Sequence, residues 1–124
     1  MRVKVILEAT DLNTGEKKVL ADGPAILNGD ELLYTEKDTN ARHKITFSDE
    51  VIIERKAEIS SRTVIREGKR GESVVSSEFG DMKMLTEGKM KTHSKTAWLV
   101  EYLVISENET VLRQRLEWKI SHFS

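Results

Sequence analysis

The sequence predicts an all-β domain, antiparallel and closed as a barrel or folded as a sandwich. About ten short runs alternate apolar with polar residues, the period-two signature of half-buried strands. The breaks between them are polar and carry hairpin signals such as Asn28-Gly29-Asp30 and Glu67-Gly68-Lys69-Arg70-Gly71. In the last run Leu112, Gln114, Leu116, Trp118 and Ile120 alternate with Val111, Arg113, Arg115, Glu117 and Lys119, an almost wholly charged opposite face. That contrast favours strand over the helix that Leu112, Leu116 and Ile120 would also allow. Closure of the sheet would remove its exposed edges.

Val3, Val5, Leu7 and Ala9 form the apolar face of a first strand that ends in the turn-rich Asp11-Leu12-Asn13-Thr14-Gly15. Val19 to Ala21 reads as its return, and Asp22-Gly23-Pro24 as a corner, because proline cannot donate to a ladder. Pro24 to Leu27 and Glu31 to Glu36 flank the next hairpin, and Asp38-Thr39-Asn40 leads to Lys44 to Phe47. Val51 to Lys56 follows, read as strand although Ser48-Asp49-Glu50 could open a helix. Val64 to Arg66, Ser73 to Phe79 and Met82 to Met90 continue the pattern. Thr96 to Ser106 and Thr110 to Ile120 complete it, joined by Glu107-Asn108-Glu109. A chain of 124 residues with 38% hydrophobic content supports one domain with one modest core.

The stretch from Val51 to Met84 carries a resemblance. Val51-Ile52-Ile53-Glu54-Arg55, then Arg62, Arg66-Glu67-Gly68, Glu78-Phe79-Gly80 and Met84 resemble the pattern and spacing of the YwiB-like bacterial proteins, a family of unknown function. Weaker similarity covers nearly the whole chain. The departures are Ala57 where glycine is expected, Glu78 for proline and Phe79 for tyrosine. The resemblance implies an up-and-down barrel of the calycin or lipocalin-like kind, and it implies no catalytic residue.

Parity assigns a barrel lining. Trp98, Val100, Tyr102 and Val104 face one way, as do Leu116 and Trp118 on the next strand, and Met82, Met84, Thr86 and Met90 share a third face. Arg55 shares its side with Val51 and Ile53, so a permanent cation falls on an apolar face and needs a partner. It is either an internal ion pair or the grip on an anionic head group. In the second case Tyr102 or Gln114 assists Arg55, while Trp98, Trp118 and Met84 hold an apolar body. Arg62 keeps company with Ser60, Val64 and Arg66, a surface or mouth position.

The function that follows is non-catalytic binding of a small amphipathic or anionic ligand in the barrel. The alternative is a protein-interaction or homodimeric module, with Leu99, Leu103 and Ile105 as outward apolar residues. Twenty Lys and Arg against 21 Asp and Glu give a net charge of -1, and no nucleic-acid or membrane partner is expected, even with basic segments, read as solvated loops, at Lys89 to Lys95 and Arg66 to Arg70. There is no cysteine, which suits a reducing cytoplasm. Met1 runs straight into a strand, so no signal peptide is expected. His43, His93 and His122 stand in separate polar or terminal segments without metal-ligand spacing, so no metal or other cofactor is expected. No G-x-S-x-G elbow or phosphate loop is present, and the Asn108-Glu109-Thr110 sequon is read as incidental.

Overall fold

The computed structural model describes residues 1–122. Ten strands appear in chain order: β1 (Arg2–Asp11), β2 (Lys17–Asn28), β3 (Glu31–Thr35), β4 (Arg42–Phe47), β5 (Glu50–Lys56), β6 (Ser60–Arg66), β7 (Arg70–Ser77), β8 (Gly80–His93), β9 (Ala97–Ser106) and β10 (Glu109–His122). Each pairs antiparallel with its neighbours in sequence, and β1 closes on β10. The all-β, up-and-down, closed-barrel expectation is met. Among the described residues no helix is long and apolar enough to cross a membrane.

Three local readings change. The return strand and the strand after Pro24 are one element, β2, which follows β1 throughout and absorbs a bulge at Leu20. Proline is tolerated because pairing with β3 stops at Ala25 opposite Tyr34, so Pro24 has no ladder bond to lose on that side. On β8 a bulge between Gly88 and Met90 shifts the register. One extra residue flips side-chain parity, so Met90 lies opposite Glu101 on the outer face and does not join Met82, Met84 and Thr86. The basic stretch from Lys89 is strand as far as His93 and not loop. At the β9–β10 turn Glu107 and Asn108 both take positive φ, 53° and 66°, the twist a two-residue hairpin needs.

Alternation puts Val3, Val5 and Leu7, Ile45 and Phe47, and Leu116, Trp118 and Ile120 inside, all buried. Phe47 organises the aromatic part, with its ring centroid 5.4 Å from Trp98 and 6.3 Å edge-on from Trp118. Outward Leu103 is itself only 8% exposed, between Glu87 and Arg113 in register, so it offers no free patch.

One seam departs from the regular ladder. Pairing of β6 with β7 ends at Thr63 opposite Ser73. The rest of β6 crosses the inward face of β7 and β8, where the buried Thr86 hydroxyl donates to the Val64 carbonyl and Gly68 N–H donates to Gly88 O. Gly71 and Gly88 make this crossing possible. A Cβ at Gly71 would collide with the Val64 carbonyl oxygen, and one at Gly88 with that of Arg66. The place on the interior face that Gly88 leaves free is therefore filled by backbone.

Candidate functional site

Arg55 sits where parity placed it, at the end of the inward face of β5, and it meets a carboxylate. Its Nε donates to Glu36 Oε2 at 3.0 Å, Nη2 to Glu36 Oε1 at 3.4 Å, and Nη1 to the Ile59 carbonyl at 3.1 Å. Glu36 also accepts from the Thr39 hydroxyl at 2.8 Å and bonds His43 Nε2 at 2.7 Å. From His43 the chain runs inward: Nδ1 lies 3.0 Å from Tyr34 Oη, which accepts from Trp118 Nε1 at 2.7 Å.

One assignment of hydrogens satisfies every member. Trp118 donates to Tyr34, the Tyr34 hydroxyl to His43 Nδ1, and the neutral His43 Nε2–H to the Glu36 carboxylate, which Arg55 neutralises. Electrostatics agree. Burial works to raise the Glu36 carboxyl, but bonds from Arg55, His43 and Thr39 outweigh it and hold the pKa at about 2. Burial lowers the His43 pKa against the opposing pull of Glu36, which keeps the ring neutral. Burial also raises Tyr34 well above the ordinary phenol.

Tyr34, His43 and Glu36 have the order of a nucleophile–base–orienter triad. Tyr34 is 6% exposed, and the hydroxyl oxygen that would have to act as nucleophile already accepts from Trp118. Among the described residues no cluster of three or more His, Asp or Glu could hold a metal ion. His93 stacks on Phe47, and His122 bonds the Lys95 carbonyl.

The other residues named from sequence are placed as follows. Trp98, Trp118 and Tyr102 are 2%, 0% and 6% exposed and belong to the central apolar cluster, with Met84 packed against it. Gln114 Nε2 donates to Tyr102 Oη at 3.0 Å, so these two serve each other and not Arg55. Burial raises the Tyr102 pKa to about 12 against that amide bond. No buried side-chain nitrogen or oxygen among the described residues lacks a partner.

A large concavity lies outside the barrel, a feature strand parity alone does not reveal. It is a groove of about 1090 Å³ on the outer face of β5 to β8, formed where β6 and β7 diverge. Val64, Val74 and Leu85 supply apolar surface, and Lys56, Arg62 and Arg70 rim it with cations. Of the candidate ligand residues named from sequence (Arg55, Trp98, Tyr102, Gln114, Trp118 and Met84), Arg55 alone lines it. Arg62 pairs with Glu54 at 3.4 Å, and Arg66 pairs with Glu50 and donates to the Arg70 carbonyl. Lys56 and Arg70 meet no carboxylate within salt-bridge distance among the described residues, and neither does the lining Glu72 meet a cation. After pairing, the groove keeps two cations and one anion, a surplus of one positive charge.

Comparison with known proteins gives a family and a fold. The model of a domain of unknown function (DUF1934) matches residues 9–117. No curated protein matches the chain. The crystal structure of ywiB protein from Bacillus subtilis is similar with a TM-score of 0.70, over 99% of this chain and 92% of that one, at 11% identity. So low an identity carries the shared fold alone.

Proposed function

The chain belongs to the DUF1934 family of domains of unknown function, and we propose that it is a non-catalytic binding module whose ligand is a small amphipathic monoanion seated in the β5–β8 groove. The observation that carries this is the groove itself. Its volume of about 1090 Å³ suits a small molecule, its floor is apolar, and its surplus after ion pairing is one positive charge. An acyl or ring body would lie over Val64, Val74 and Leu85 while the head group meets Arg70 or Lys56. The interior offers less. Trp98, Trp118 and Tyr102 fill it with their own side chains, and the Arg55 guanidinium is already held by Glu36 and Ile59.

The test is a thermal-shift titration with dodecanoate beside dodecanol, repeated on the double variant Lys56→Ala, Arg70→Ala. The acid is expected to raise the melting temperature of the native chain, the alcohol to do so less, and the double variant to lose the difference. No shift with the acid, or a shift unchanged in the double variant, would refute the groove as the site.

A further inference from the structure

The tip of the β7–β8 hairpin presents a chemistry opposite to that of the groove. Phe79 is 92% exposed, the most exposed large apolar side chain among the described residues. The tip is nevertheless ordered: Phe79 N–H donates to Ser77 Oγ at 3.2 Å, and Ser77 Oγ donates to the Gly80 carbonyl at 3.4 Å. The ring is therefore held out in water by a fixed turn. Glu78 and Asp81 flank it, both exposed, and neither meets a cation within salt-bridge distance among the described residues. Two more apolar side chains lie at this end of the barrel. Met82 is 58% exposed on the same hairpin, and Ile59 is 54% exposed on the β5–β6 turn. That turn is adjacent because Ser60 pairs with Ser76. A cluster of this kind differs from the single exposed apolar residues normal on a surface.

We propose that two copies of this chain associate about a two-fold axis, each placing its Glu78-Phe79-Gly80-Asp81 tip in the basic, apolar-floored groove of the other. Two facts select a second copy as the occupant. The charges complement, since the tip carries two unpaired acids and the groove, with Lys56 and Arg70 against Glu72, keeps a surplus of one positive charge among the described residues. The knob and the hole are also contiguous, because Ser76 lines the groove and the tip begins two residues later, at Glu78. A knob beside its own complementary hole suits an isologous interface, in which the same contact forms twice and the assembly closes at two. Phe79 then covers the groove floor while Ile59 and Met82 are buried near the axis.

The tip and a small anion would compete for the same groove, so the dimer does not rest on the groove's taking an anion, and the two readings fail separately. Sedimentation velocity of the native chain over about 1 to 100 μM spans the range for a moderate dimer. Three variants accompany it: Phe79→Ser, a tip reversal (Glu78→Lys with Asp81→Lys) and a groove reversal (Lys56→Glu with Arg70→Glu), each checked for native circular dichroism. The native chain is expected to dimerise, and each variant alone to associate at least about tenfold more weakly. An equimolar mixture of the two reversals is expected to dimerise again, because its two contacts are then one native and one with both signs exchanged. A monomeric native chain at the highest concentration, a dimer that persists in all three variants, or a mixture that stays monomeric would each overturn the proposal. Dodecanoate binding retained by monomeric Phe79→Ser would leave the ligand reading standing by itself.

Discussion

The two arginine-bearing faces of this barrel differ in what their cations are for. On the inward side, Arg55 is bound into a chain through Glu36, His43 and Tyr34 that ends on Trp118 in the core. On the outward side Arg62 and Arg66 are paired, but Arg70 and Lys56 meet no carboxylate among the described residues. A cation drawn toward an apolar face is tolerated when its partners are built in, and Arg55 has its carboxylate in place. A cation at the surface stays solvated without a partner and remains open to one that arrives later. The less conspicuous positions are therefore the more available ones.

Changes inside should alter stability and changes outside should not, and five measurements test that division. Trp118→Ala removes a fully buried indole and the donor to Tyr34, and chemical denaturation should show a loss of about 4 kcal/mol. Gly88→Ala forces a methyl group against the Arg66 carbonyl where β6 crosses, and should cost about 3 kcal/mol by the same measurement.

Glu36→Gln breaks the pair with Arg55, which is 30% exposed, and should cost ~2 kcal/mol, between the values for surface and buried pairs. Acid should reproduce that loss in the native chain. The folded Glu36 pKa, about 2, lies below its ordinary 4.5, so the unfolded chain binds the extra proton. Its contribution is present above pH 4.5 and lost as pH falls toward 2. His43, lowered from 6.5, acts in the same direction and starts to cost stability below its ordinary value. Melting temperature against pH should fall in both ranges, and Glu36→Gln should flatten the lower one. In contrast, Lys56→Ala with Arg70→Ala should change stability by no more than about 0.5 kcal/mol at each position while removing the response to dodecanoate. A large destabilisation there would erase the distinction between the two faces.

Much of the inner region is legible in the chain. Period-two alternation places Leu32, Tyr34 and Glu36 on one face of β3 and its exit, His43, Ile45 and Phe47 on one face of β4, and Val51, Ile53 and Arg55 on one face of β5. All three faces point inward. The partner of Arg55 was thus within reach of the parity argument that found Arg55 itself. His43 escaped because its flanks, Arg42 and Lys44, are charged, although a half-buried strand has such flanks by construction. Gln114 and Tyr102, offered as helpers of Arg55, are directly opposite each other on adjacent strands, and that register needed the β9–β10 bulge to be known.

The sequence by itself determined the fold class, the meander of strands, the inward faces and the one cation that needed a built-in partner. These follow from local rules, alternation and turn chemistry, that act over a few residues. Only the tertiary structure decided which carboxylate meets Arg55, that Gly71 and Gly88 make room for the crossing of β6, and that a groove opens on the outside beside an exposed Phe79. Those features depend on where bulges shift register and where β6 and β7 part, and such choices are set by packing between strands distant in sequence.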